Sequence, residues 1–246
     1  MKNNLLLVII YTLFVLGLSA CSNSTSSSKR TDNAISDETE KLMELAENGD
    51  AEAQLSIGNN YYTGQGLKQD FSEAAKWIHK AAEQGVAKAQ YNLGFLYTNG
   101  LGVEQNHETA AKWYTKAAEQ GYAPAQHNLG HCYLNGLGVE LNQTEGIKWY
   151  TKSYEWVKTE AENGNPYAQH NLGIYYILGA GVEKDSCEAA KWCSKSAEQG
   201  YAQAQYDLGN MYQYGIGIEK DTCKAIMWYK KAAEQNYAPA LETISK

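Results

Sequence analysis

Residues 87–122 read AKAQYNLGFLYTNGLGVEQNHETAAKWYTKAAEQGY, and the reading of this one stretch decides the fold. Its first part places Ala89, Leu93, Gly94 and Tyr97 at spacings of three and four, which is one face of an α-helix. Its last part does the same with Ala110, Ala111, Trp113, Tyr114, Ala117 and Ala118, and so predicts a second helix with its own buried stripe. Between them stand Gly100 and Gly102. The first suits the left-handed residue that ends a helix, and the second lets the chain reverse. Asn106 then offers a side-chain cap for the second helix.

Working outward, the same block recurs at 51–86, 123–165, 166–201 and 202–237, the third copy carrying the insertion Tyr154–Glu160. Every copy has Ala at its third position, Leu or Ile at the seventh, Gly at the eighth and Tyr at the eleventh. The Gly-x-Gly recurs as Gly64/Gly66, Gly136/Gly138, Gly179/Gly181 and Gly215/Gly217. No strand precedes these glycines and no Lys-Ser/Thr follows them, so they are not a phosphate loop. Asp70, Asn142, Asp185 and Asp221 share the capping position of Asn106, and Glu73, Glu145 and Glu188, three residues on, predict reciprocal capping boxes. A glycine at the eighth position costs a helix about 1 kcal/mol against alanine, which implies a close helix crossing opposite Ala74, Ala110, Ala189 and Ala225. Trp77, Trp113, Trp149, Trp192 and Trp228 share one position flanked by alanines. They read as core more readily than as a ligand-stacking ladder.

These features, Leu-Gly-x-x-Tyr, Gly-x-Gly-Val/Ile, the Asp/Asn cap and Trp-Tyr-x-Lys-Ala-Ala-Glu-Gln-Gly, resemble the Sel-one-like repeat family, a branch of the tetratricopeptide-like helical repeats. The resemblance covers about residues 42–246 and implies an all-α fold, a right-handed α-solenoid of antiparallel helix pairs that serves as a scaffold or adaptor in protein complexes. It implies no shared chemistry. Residues 37–50 match the tail of a second helix and 238–246 restart a first helix, so both are expected to cap the five-repeat array spanning 37–246. The insertion adds close to two helical turns and keeps the buried stripe in phase. Its Tyr154, Trp156 and Val157 either present an aromatic contact to a partner or, as favoured, pack on neighbouring loops.

Residues 1–20 form a separate segment. Lys2 is followed by an apolar run, Leu5 to Leu18, whose length of roughly 21 Å falls short of a bilayer core of about 30 Å. This is the pattern of a signal peptide. It closes on Leu18-Ser19-Ala20-Cys21, which resembles the lipobox of bacterial lipoproteins, with Cys21 as the lipidated residue. Residues 21–36, rich in Ser and Thr, read as a flexible tether. Ser22 after the cysteine points to an outer membrane, with the array on its periplasmic or surface face.

Net charge is -7, with a single arginine at Arg30 and no basic stripe interleaved with aromatics, so nucleic acid is set aside. Beyond Cys21 there are Cys132, Cys187, Cys193 and Cys223. Cys187 and Cys223 hold equivalent positions in adjacent repeats, where helix axes about 8–10 Å apart exceed disulfide reach. Cysteine-rich relatives pair cysteines within each repeat, and this chain departs from their pattern. Cys193 stands where other copies have tyrosine and reads as core.

In tetratricopeptide-like arrays the first helices line a concave groove, with positions 2, 5, 9, 12 and 13 facing it. Position 5 here is Leu55, Tyr91, His127, His170 and Tyr206; position 9 is Asn59, Phe95, His131, Ile174 and Asn210. Identical scaffold positions beside divergent groove positions suit a binding array, and aromatic side chains are frequent among interface anchors. Position 6 adds Asn92, Asn128 and Asn171, which can bond either an extended segment or neighbouring loops. His127 and His131, with His170 in the next repeat, raise a zinc or copper site, but no His-Glu-x-x-His accompanies them and no metal or other cofactor is expected. The expected partner is a protein or peptide held by a monomeric, membrane-tethered chain. A cell-wall-peptide enzyme is the competing class, yet the lone Ser-x-x-Lys, Ser26 to Lys29, lies in the tether where no pocket forms. A structural spacer is the third.

Overall fold

The structure, a computed structural model, describes residues 37–245. The signal segment, the tether and Cys21 lie outside the described residues. Among the described residues there are twelve helices and no strand: α1 (Asp37–Glu47), α2 (Ala51–Thr63), α3 (Phe71–Glu83), α4 (Ala87–Asn99), α5 (His107–Glu119), α6 (Ala123–Asn135), α7 (Gln143–Glu162), α8 (Pro166–Leu178), α9 (Ser186–Glu198), α10 (Ala202–Tyr214), α11 (Thr222–Glu234) and α12 (Ala238–Ile244). They fall into two compact units, residues 37–142 with α1–α6 and residues 143–245 with α7–α12.

Within each unit every helix packs on its successor. In the amino-terminal unit the first helices α2 and α4 touch through Asn59 and Asn92, while the second helices α3 and α5 touch through the rings of His79 and Trp113, 5.7 Å apart. The unit is therefore two layers deep. Leu55, Ile78, Leu93 and Leu96 fill the space between them, floored by Ala74, Ala75, Ala81, Ala82 and Ala89. Fully burying each leucine or isoleucine stabilises the fold by about 1.5–3 kcal/mol, and the alanines let the helices come close enough to do it.

The eighth-position glycines sit at the crossing that the sequence implies. A Cβ on Gly94 would lie 2.8 Å from the Tyr114 ring and 3.2 Å from the Ala110 carbonyl oxygen, and one on Gly58 would lie 2.5 Å from Ile78. The second glycine of each Gly-x-Gly does more than reverse the chain. With a Cβ, Gly102, Gly138 and Gly217 would overlap the carbonyl groups of Phe71, His107 and Ser186, each at the start of the preceding repeat's second helix. The loop thus locks one repeat onto the one before it.

Caps form as expected at Asp70, Asn106, Asp185 and Asp221, whose side chains accept from backbone N–H groups of the first turn. The capping boxes are a correction. The N–H groups of Asp70, Asn106, Asn142, Asp185 and Asp221 donate instead to the carbonyls of Tyr61, Tyr97, Tyr133, Tyr176 and Tyr212, so no backbone donor is left for a returning glutamate. Glu73 and Glu188 turn outward to Lys76 and Lys191.

One framework was not read from the sequence. Gln84 Nε2 donates to Gln54 Oε1 and to the Gly49 carbonyl, and Gln54 Nε2 donates to the Ala46 carbonyl. The same pattern joins Gln90 with Gln120, Gln169 with Gln199 and Gln205 with Gln235. Glutamine recurs at the fourth position of all five copies, and that recurrence was the available signal. In the third copy Asn163 replaces the second glutamine.

The insertion lengthens α7 to 20 residues, and Ser153, Val157 and Ala161 continue its buried stripe at intervals of four. Tyr154 packs against Gly181 and lies 6.3 Å from the ring of Tyr175, as expected for a segment lying on its neighbours. Tyr175 stacks on Tyr150 at 4.6 Å and its hydroxyl meets Ser153 Oγ at 2.7 Å.

Candidate functional site

The five tryptophans at the shared repeat position, Trp77, Trp113, Trp149, Trp192 and Trp228, sit on the second helices, and of these only Trp228 is buried while the other four are half-buried. A lysine three residues on covers each ring: Lys80, Lys116, Lys152, Lys195 and Lys231 place Nζ 3.8–4.2 Å from the ring centroids. Their alkyl stems shield the aromatic face while the ammonium stays in water. One face of each ring is thus covered by a lysine, and the first-helix layers, whose side chains differ between copies, form the candidate site.

In the amino-terminal unit Tyr91, Asn92, Phe95, Asn128 and His131 are half-buried on α4 and α6. Asn92 Nδ2 donates to Asn59 Oδ1 at 3.1 Å. Tyr91 is held between Tyr114, 5.9 Å away, and Tyr122, 5.4 Å away. His127 is only 2% exposed, and burial, reinforced by nearby His131, pushes its imidazole down to about 3. It is a neutral interior side chain.

In the carboxy-terminal unit His170, Asn171, Ile174, Tyr206 and Asn210 are all buried. Exposure at position 5 is therefore a correction in both units. In three copies an aromatic residue at the end of the same repeat covers it: Tyr91 meets Tyr122, His170 meets Tyr201 at 5.5 Å and Tyr206 meets Tyr237 at 5.6 Å. Position 5 faces this aromatic and so supports the layer from beneath.

The sequence reading overlooked Asp207, at position 6, where three other copies carry asparagine. His170 Nε2 meets Asp207 Oδ2 at 2.7 Å, with the side chains 2% and 5% exposed. Burial raises the Asp207 carboxyl above the usual carboxylate range, and the hydrogen bond and charge of His170 offset only part of that. Among the described residues His170 Nδ1 and Asp207 Oδ1 have no hydrogen-bond partner. Asn210 Oδ1 accepts from the Tyr229 hydroxyl at 2.9 Å. A lone acid at an otherwise neutral position of a first helix was the signal that could have found this pair.

The described cysteines are free. Cys132 is buried, which pushes its thiol up to about 12, and Cys193 is core as expected, its thiol donating to the Ala204 carbonyl at 3.4 Å. Among the described residues no group of three or more His, Cys, Asp or Glu side chains converges on one point, and no helix is long and apolar enough to cross a membrane.

The family model described as "Sel1 repeat" matches residues 51–86, 87–122, 123–155, 166–201 and 202–237. A Sel1 repeat protein from Oxalobacter formigenes is similar over 85% of this chain and 87% of its own, at 34% identity and a TM-score of 0.58. A protective antigen of uropathogenic Escherichia coli strains, described as displaying an SLR fold, is similar over 82% of this chain at 35% identity and a TM-score of 0.55. The chain spans only 42% of that antigen's length. No curated protein matches.

Proposed function

The chain belongs to the Sel1 repeat family, whose members are protein–protein interaction scaffolds, and from that premise we propose that it is a membrane-tethered adaptor of the bacterial envelope. It holds a protein or peptide on its first-helix layer and acts by binding, not by catalysis. One observation carries this reading. The residues that repeat in every copy are consumed by the fold, as the glycine crossings and glutamine pairs illustrate, whereas Phe95 and His131 differ from their counterparts Asn59, Ile174 and Asn210 and stand half-buried on the first-helix layer beside Asn92 and Asn128. Divergent side chains on a rigid, repeated frame are what selective binding requires.

The tether follows from the Leu18–Cys21 lipobox pattern. Acylation of Cys21 with two or three chains would anchor the protein stably, where a single chain would not. That a 35% identical relative is described as a protective antigen agrees with an envelope location, since antibodies reach antigens on cell surfaces. Two measurements test the reading. Radiolabelled palmitate should enter the wild-type chain and not Cys21→Ser. In-cell crosslinking followed by capture from native envelopes should recover a protein partner that is lost when Asn92, Phe95 and Asn128 are replaced together by alanine, with the helical melting curve preserved. Equal recovery from both would refute binding through this layer.

A further inference from the structure

The first helices of the amino-terminal unit are nearly free of charge. Across α2, α4 and α6 the only charged residues are Glu52 and Lys88, each at the second position of its helix. The second helices of the same unit are charged along their length: α3 carries Glu73, Lys76, Lys80 and Glu83, and α5 carries Glu108, Lys112, Lys116 and Glu119. Two faces of one unit thus offer opposite solvation to a partner. A charged segment laid on α2, α4 and α6 would surrender part of its water and meet no counter-charge beyond Glu52 and Lys88. An uncharged segment meets no such penalty.

Geometry adds a second element. In the half-buried Asn59–Asn92 pair, Asn92 uses a donor and Asn59 uses its acceptor oxygen. Asn59 Nδ2 and Asn92 Oδ1 are left on adjacent side chains, one donor beside one acceptor, the complement of a peptide C=O and N–H. Phe95 stands on α4, three residues after Asn92 and so on the same helix face, half-buried.

We propose that the first-helix layer of residues 37–142 binds an extended, uncharged peptide segment: Asn59 and Asn92 receive one backbone amide, and Phe95 receives a neighbouring aromatic or aliphatic side chain. The proposal rests on the scaffold reading above and narrows it to one chemical class of partner.

The test uses the full chain, purified in detergent and immobilised, and a random-sequence peptide library displayed on phage. The enriched peptides are expected to share a core without Asp, Glu, Lys or Arg and with at least one aromatic or aliphatic residue. Their retention should change by no more than about twofold between low and high salt, because no ion pair is there to be screened. Asn59→Asp, which keeps the side-chain shape and the bond from Asn92, should lower retention by about tenfold or more, and so should Phe95→Ala. Lys112→Ala on the second-helix face should leave it unchanged. Thermal melting of each variant reports folding, and the isosteric Asn59→Asp decides the matter if Phe95→Ala melts early. A charged or salt-sensitive consensus overturns the uncharged chemistry while leaving the scaffold reading intact. Enrichment indifferent to both variants places binding elsewhere and overturns the site. No enrichment above the uncoated support overturns both.

Discussion

In each unit a position 6 residue reaches the first helix of the preceding repeat, Asn92 in one and Asp207 in the other, and the two units solve the burial of these polar groups in opposite ways. In residues 37–142 the inter-helix contact is a neutral amide pair, Asn59 with Asn92, half in water, and the histidine at position 5 of α6, His127, is buried uncharged. In residues 143–245 position 6 of α10 is Asp207, which meets His170 at position 5 of the preceding repeat, fully buried, with a carboxyl whose ionisation burial disfavours. A half-buried amide that loses its partner can turn to water. A buried carboxylate cannot, so the same lesion should cost the two units very different amounts.

His170→Ala is the largest expected effect. It leaves the Asp207 carboxyl buried without the hydrogen bond from His170, and a buried polar group left unsatisfied costs about 1–3 kcal/mol, more where it carries charge. Urea unfolding should register that loss, and His170→Leu combined with Asp207→Leu should recover most of it, because the double change removes the buried carboxyl together with its partner. A single-variant loss below about 1 kcal/mol would mean that the pair is hydrated, and the contrast between units would collapse.

Next in size is a pair of pH dependences of opposite sign. His127 has a folded value of about 3 against an ordinary value of about 6.5, so between those limits the unfolded chain binds more protons. Stability from this group is present above about pH 6.5 and is lost as pH falls toward 3. For Asp207 the folded value is raised, so its contribution is present below the ordinary carboxylate range and is lost as pH rises through the raised value. Each slope is bounded by about 1.4 kcal/mol per pH unit. Urea midpoints measured across this range should show that His127→Gln flattens the acid limb and that Asp207→Asn flattens the opposing one. If both variants change the profile in the same sense, the assignment of opposite signs is wrong.

Much of this was legible in the sequence, and the division has a physical reason. Gly94, the alanines opposite it and the Asn106 cap each answer a local demand of helix geometry, and such demands recur in every copy, so repetition announced them. Tyr122, Tyr201 and Tyr237 also recur, but what they cover is position 5 of the same repeat, a contact set by how the first helix folds back against the repeat's end. The resemblance to tetratricopeptide-like arrays placed position 5 on the open face. Asp207 was hidden for the opposite reason: its partner lies one repeat away and occurs once. The tryptophans fall between, since their alanine neighbours indicate burial while the lysine three residues on marks the side that stays near water.

A smaller effect tests the amino-terminal half of the comparison directly. Asn92→Ala removes the bond to Asn59, but Asn59 Oδ1 lies where water can replace the lost donor, so the expected cost is about 1 kcal/mol. Urea unfolding at neutral pH checks it against His170→Ala under identical conditions. A cost equal to that of His170→Ala would show that the amide pair is as dry as the His170–Asp207 pair.

The smallest effect asks whether the units differ only in their first-helix layers. Lys116 lies 4.0 Å from the Trp113 ring centroid in one unit and Lys195 lies 3.8 Å from that of Trp192 in the other. Both lysines are exposed, so each contact should contribute about 0.5–1 kcal/mol, and the two should contribute alike. Lys116→Ala and Lys195→Ala, followed by tryptophan fluorescence through a urea titration, give the comparison. Equal losses mean that the second-helix layer is one design repeated in both units, and that the contrast between them resides in the first-helix residues His127, His170 and Asp207. Losses that differ by more than about 1 kcal/mol would exceed what an exposed cation–π contact can supply. The second helices would then also carry part of the difference, through packing of the lysine stems on the indole rings.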